Sequence, residues 1–125
     1  MNKYLNKKTE VNGIVFDSKK EAEYYLMLLH KLRNGEINNL RRQVRYELIP
    51  AVWKDEVKHL KTKDKVVRKC VQKATHYVAD FVYSKPDTGE DVVIDVKSFI
   101  TRKNPEYRLK KKMMYAFKNI EIKEV

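Results

Sequence analysis

Two acids and a lysine stand where a plain apolar core would avoid them. Asp80 interrupts Tyr77-Val78-Ala79 and Phe81-Val82-Tyr83, and Asp95 interrupts Val92-Val93-Ile94 and Val96. A carboxylate inside such a run is expensive to bury without a cation or several donors. Side chains alternate along a strand, so Asp95 and Lys97 would share a face, about 6.6–6.8 Å apart along the chain. Asp80, on a neighbouring strand, could share that face too. Adjacent carboxylates repel each other. A divalent cation removes the conflict, and oxygen-rich sites suit Mg²⁺ or Mn²⁺. A lysine beside such an ion can orient an attacking water and stabilise charge building on a phosphate. Read singly, each residue has a plainer explanation. Asp80 could be wet at a strand end, Asp95 and Lys97 could form a salt bridge, and Glu21 fits the capping-box position opposite Ser18. His30, His59 and His76 have no Cys or acidic partner at metal-ligand spacing and read as surface or core histidines. Trp53 reads as core cover in preference to a stacking platform for a base.

These residues need elements to hold them. Ser18 is a good N-cap, and Ala22, Tyr25, Leu26, Leu29 and Leu32 follow at helical spacing until Asn34-Gly35 stops the run. Val44, Tyr46 and Leu48 alternate with polar residues up to Pro50, which predicts a strand. Residues 54–73 read as a basic loop or insertion, with at most a short strand near Val66-Val67. His76–Tyr83 and Val92–Lys97 are rich in strand formers, and the turn residues of Lys85–Glu90 between them predict a hairpin. Asn104-Pro105 opens a second helix, with Leu109, Met113, Ala116 and Ile120 as its apolar stripe. Ile120–Val125 alternates as a last strand. The predicted order is α-β-β-β-α-β, an α/β chain forming one domain over residues 1–125, with residues 1–15 as an N-terminal arm.

Composition narrows the function classes. The chain has 125 residues, and 28 Lys and Arg against 17 Asp and Glu give a net charge of +11. Charged residues make up 36%, above the roughly 25% of an average globular domain. No apolar run approaches the ~18 residues of a membrane span, and the first residues lack the apolar stretch of a secretory signal. The single Cys70 cannot form an intrachain disulfide or a Cys-based zinc site, which points to a reducing, cytoplasmic location. Positive charge gathers in two segments: Lys54–Lys73 has eight Lys and Arg against three acids, and Arg102–Lys112 has six against one. Neither an aromatic nor a leucine stripe of an interfacial helix accompanies the first of these, so a nucleic acid is favoured over a membrane surface. A merely solvated basic face is the plain alternative.

The joint pattern resembles the PD-(D/E)XK nuclease superfamily. Its carriers are Glu21 in Ser18-Lys19-Lys20-Glu21-Ala22-Glu23, Asp80 in Tyr77-Val78-Ala79-Asp80-Phe81, and Ile94-Asp95-Val96-Lys97-Ser98. Within it, Phe16–Ala22 and Tyr107–Lys112 look like segments of small phage and prophage proteins of Holliday-junction-resolvase-like or endonuclease-like character. Ala79 stands where the superfamily name has Pro. The resemblance implies a restriction-endonuclease-like core, with a mixed four-stranded sheet flanked by helices, and Mg²⁺-dependent hydrolysis of DNA phosphodiesters, with Mn²⁺ as a substitute. It further implies Asp80, Asp95, the Val96 carbonyl and Glu21 as metal ligands, and Lys97 as the residue positioning the water. Gln43 falls where related enzymes often have a polar active-site residue. Glu21 and Glu23 point to different faces, and Glu21 is preferred as the helix ligand because Ser-x-x-Glu at the helix start matches the family. Lys61, Lys63, Lys65, Arg68, Lys69, Arg102, Lys103, Arg108, Lys110 and Lys111 would hold the backbone of branched or double-stranded DNA. A paired cut across a junction needs two sites, which a homodimer would supply. The alternative is a basic nucleic-acid-binding module that keeps the fold without the chemistry.

Overall fold

A computed structural model describes residues 8–125; residues 1–7 of the expected N-terminal arm lie outside the described residues. The rest of that arm is a hairpin of β1 (Thr9–Val11) and β2 (Ile14–Phe16). Asn12 and Gly13 turn it with φ of 52° and 78°, the left-handed pair that Asn-Gly adopts in tight hairpins.

Helix α1 spans Lys19–Arg33, and the Ser18 hydroxyl accepts the Glu21 backbone N–H at 3.1 Å. Its inward face is Glu21, Ala22 and Leu28, whereas Leu26 and Leu32 of the expected stripe are exposed. After α1 come the long β3 (Asn38–Ile49), β4 (Val52–His59), β5 (Asp64–Gln72), β6 (Thr75–Ser84) and β7 (Asp91–Asp95). The short α2 (Phe99–Arg102), α3 (Pro105–Lys118) and β8 (Lys123–Glu124) complete the chain. Strands β3, β6, β7 and β8 form one sheet in that order, antiparallel except for the parallel β7–β8 pair. The expected α-β-β-β-α-β order is therefore present as α1-β3-β6-β7-α3-β8, and the sheet is mixed and four-stranded.

Two apolar clusters cover its two faces. One joins Phe16, Ala22, Leu28, Ile37, Phe81 and Ile94 beneath α1. The other joins Leu48, Tyr77, Ala79, Val82, Val93 and Ile122 with Met114 of α3. The less exposed positions of α3 are Tyr107, Lys110, Lys111, Met113 and Met114; of the expected stripe, Met113 and Ile120 pack against this cluster, while Leu109 and Ala116 are exposed. Hydropathy marks this helix only in part, because two of its half-buried residues are lysines. Lys111 is anchored by Glu124 at 2.6 Å and Lys110 by Glu106 at 3.3 Å.

The segment expected to be a basic loop is a β-hairpin of β4 and β5, paired from Val52–Gln72 to His59–Asp64. Its residues are almost all exposed. Buried apolar spacing is the main cue for a strand, and this ribbon buries neither face, so the cue is missing. Trp53 consequently lies on the hairpin, 47% exposed, and not over the core. Arg68 covers its ring at 4.5 Å.

Candidate active site

Strand β6 changes face where Asp80 sits. Tyr77 and Ala79 belong to the α3-side cluster and Phe81 to the α1-side cluster, although strict alternation would keep residues 77, 79 and 81 on one face. On β3, Arg42 pairs with Phe81 and Val44 with Ala79. Gln43, between them, has φ of 50°. A left-handed φ in a non-glycine strand residue is uncommon and marks a local irregularity. Both strands therefore break their regular pattern at one level of the sheet, next to the acids.

Asp95 ends β7 and is fully buried. Its Oδ2 accepts the Tyr77 hydroxyl at 2.6 Å. Its Oδ1 has no hydrogen-bond donor, and the Lys97 ammonium stands 3.3 Å away as an ion-pair partner. Asp80 turns its Oδ2 to the Val96 backbone N–H at 2.8 Å. That bond explains why β7 stops at Asp95 and not at Lys97 as expected: a side chain from β6 takes the donor that would continue the ladder. Lys97 N–H still donates to the Val125 carbonyl at 3.3 Å, so the segment stays fixed on its other edge.

The acids feel one another. The Asp80 carboxyl is pushed up to about 8 by burial first, then by the hydrogen bond and charge of Asp95, with the Val96 N–H opposing. Glu21 is raised by burial first, then by Asp17, while Arg42 opposes. Asp95 raises Glu21 further, and Lys97 lowers it. Tyr77 is driven well above the usual phenol range by burial, and secondarily by Asp95.

Glu21, from the first turn of α1, is buried, and its Oε1 accepts the Gln43 amide at 3.4 Å. Glu23 points outward and faces Lys19 at 3.9 Å. The Ser18 cap is formed, but the Glu21 carboxylate turns to Gln43. A cleft of about 220 Å³ is lined by Asp17, Lys20, Glu21, Asp80, Val96 and Lys97, among others. A second cleft, of about 340 Å³, shares Lys97 and Thr101 with it and adds His76, Tyr107 and Lys110. Asp95 lines neither and sits behind Lys97.

Two tyrosines that are not among the expected site residues join the site. Tyr77 orients Asp95, and the Tyr107 ring lies under the Lys97 ammonium at 5.0 Å. The Tyr107 hydroxyl donates to Glu124 at 2.9 Å. Burial alone would raise Glu124, yet its pKa is lowered, because bonds from Lys111 and Tyr107 outweigh burial. Tyr77 was findable: it lies three residues before Asp80 in an apolar run, where a buried phenol needs a partner. Lys20 also went unnoticed, and its ammonium donates to the Lys97 carbonyl at 3.3 Å.

The basic residues are spread widely. Lys61 and Lys63 are at the tip of the β4–β5 hairpin, and Lys65, Arg68 and Lys69 are on β5. Arg102 closes α2, Lys103 caps it, and Arg108, Lys110 and Lys111 are on α3. Among the described residues, no three His, Cys, Asp or Glu side chains gather as a ready metal cage. The donor set still fits a hard cation. Asp80 and Asp95 are neighbouring carboxylates, and among the described residues the buried Asp95 Oδ1 has no hydrogen-bond donor. Mg²⁺ is commonly held by one or two carboxylates, with waters and substrate phosphate completing its shell.

A family model, described as a protein of unknown function (DUF1064), matches residues 1–125. The chain belongs to the DUF1064 family. No curated protein and no solved structure matches it. No helix among the described residues is long and apolar enough to cross a membrane.

Proposed function

We propose that the chain is a divalent-metal-dependent phosphodiesterase acting on DNA, with Asp80, Asp95, Glu21 and Lys97 as its working residues. The observation that carries this reading is the convergence of Asp80 from β6 with Asp95 and Lys97 from the end of β7. Glu21 of α1 turns toward the same cleft. Clustered acids are a poor way to hold a polyanion, but they suit a cation that bridges protein and phosphate.

Asp80 and Asp95 would hold the ion, with Glu21 acting directly or through water and the Val96 carbonyl as a further oxygen. Bound there, Mg²⁺ or Mn²⁺ would supply Lewis-acid polarisation of the phosphate and a more acidic water. The protein's own groups do the positioning. The Tyr77 hydroxyl fixes the Asp95 carboxylate, and the Gln43 amide holds Glu21. The Lys97 ammonium, flanked by the Tyr107 ring and tied through its backbone to Lys20, faces the cleft where charge would build on a phosphate. Water adds across one P–O ester bond, giving a phosphate monoester and an alcohol. Branched DNA is the preferred substrate of this reading, and a homodimer would supply the paired sites for it.

The test incubates the protein with branched, linear and single-stranded DNA in Mg²⁺, Mn²⁺ or EDTA, beside Asp95→Asn. Metal-dependent cleavage that the variant loses while still binding DNA is expected. Salt-sensitive binding with no cleavage on any substrate overturns the hydrolase reading in favour of a binding module.

A further inference from the structure

The β4–β5 hairpin is two-faced. Directly opposed residues of an antiparallel pair share a face, so the register sorts its side chains. One face carries Trp53 with Cys70, Asp55 with Arg68, Val57 with Val66, and His59 with Asp64. Its charges cancel internally: His59 and Asp64 are 2.8 Å apart, and Arg68 lies over Trp53. The other face carries Lys54 with Lys69, Glu56 with Val67, and Lys58 with Lys65. All four lysines are exposed, and Glu56 is its one acid. No other described element packs extensively against this ribbon. Glu56 pairs with Lys69 at 3.9 Å, and Lys54, Lys58 and Lys65 leave this face with a net positive charge.

We propose that the lysine face of this hairpin docks on the phosphate rims of a groove in B-form duplex DNA. Three observations select that partner. Same-face lysines form two cross-strand pairs, Lys54 with Lys69 and Lys58 with Lys65, four residues or about 13 Å apart along the ribbon, a span of about four base pairs along a duplex strand. The face has no aromatic ring, since Trp53 points the other way, so it offers no platform for the bases of a single strand. It has no arginine fork either, so it reads backbone charge and not base edges. A two-stranded ribbon fits the major groove of B-DNA, whereas the major groove of A-form RNA is too deep and narrow for side chains to read. The hairpin leaves the sheet between Ile49 and Thr75. Thr75 is five residues from Asp80 on β6, or about 17 Å, which corresponds to about five base pairs of duplex. The proposal rests on the DNA reading above and adds to it the duplex form and the surface that holds it.

The experiment measures binding of a fluorescent duplex in EDTA, without cleavage, across a salt series. The variant is Lys54→Ala/Lys58→Ala/Lys65→Ala/Lys69→Ala. At about 0.9 per released phosphate contact, its plot of log affinity against log salt is less steep by about 3.6. Between 50 and 200 mM salt the wild type therefore loses about 150-fold more affinity than the variant. Lys19→Ala/Arg33→Ala/Lys118→Ala/Lys123→Ala removes the same charge elsewhere, and Val57→Ser/Val66→Ser alters the opposite face. Both retain the wild-type slope. An unchanged slope in the lysine variant overturns the proposal, as does an equal loss in the charge control. Equal or tighter binding to A-form RNA duplex or to a single strand overturns the choice of partner. Cleavage does not enter this readout, so an inactive but hairpin-dependent binder would sink the hydrolase reading and leave the hairpin standing.

Discussion

Asp80 should make the metal-free protein weaken as the solution becomes more alkaline. Its folded pKa, about 8, lies above the ordinary carboxylate value of 3.8, so the fold favours its protonated form. Stability from this group is complete below about pH 4 and is lost as pH rises through about 8. At about 1.4 kcal/mol per pH unit, the full displacement has a ceiling of about 6 kcal/mol. Asp80 is only part-buried and shares its environment with Asp95, so water relaxation reduces this to about 2–3 kcal/mol. For a chain of this length that is a fall in melting temperature of about 10 °C. Asp80→Asn isolates the effect, because the amide oxygen can still accept the Val96 N–H while carrying no charge. Melting curves from pH 5 to pH 8.5 in EDTA should fall less steeply for the variant, leaving it the more stable protein at pH 8. Adding Mg²⁺ or Mn²⁺ should raise the wild-type melting temperature more at pH 8 than at pH 5. An ion at 100 times its dissociation constant contributes about 2.7 kcal/mol, and the variant should gain little. Parallel pH profiles for the two proteins in EDTA would refute the electrostatic argument. A metal response that Asp80→Asn retains in full would refute the ligand assignment.

Three further outcomes follow from the same contacts. Tyr77→Phe removes the donor on buried Asp95 and should cost about 2 kcal/mol of unfolding free energy in urea, with a larger proportional loss of cleavage than of DNA binding. Glu21→Gln should reduce cleavage strongly and Glu23→Gln hardly at all, read on one substrate at saturating Mg²⁺, because only Glu21 faces the cleft. Ser18→Ala should cost about 1 kcal/mol through the lost cap on the Glu21 N–H, visible as a lower urea midpoint.

The parts of the fold legible in the sequence were those that bury at least one face. The Ser18 cap, the apolar runs around Asp80 and Asp95, and Asn104-Pro105 each announce an element through local chemistry, and the order of elements along the chain follows from them. The hairpin β4–β5 was not legible, because both its faces meet solvent and both carry charged side chains. The inward face of α3 was legible only in part: Met113 and Ile120 pack on the core as expected, but the half-buried Lys110 and Lys111 are positions an apolar stripe cannot mark, and the acids Glu106 and Glu124 pair with them. The same limit governs the site. An acid inside an apolar run signals that some compensation exists, but not which kind. Composition could not reveal that Tyr77 supplies a hydroxyl to Asp95, that the Val96 N–H is taken from the ladder by Asp80, or that Gln43 adopts a left-handed backbone opposite it. All three place polar compensation around a level of the sheet where strand geometry is irregular. A sheet that only needed to fold would have little reason to keep buried acids at that level, whereas a sheet that presented neighbouring carboxylates to a cation would have a direct one.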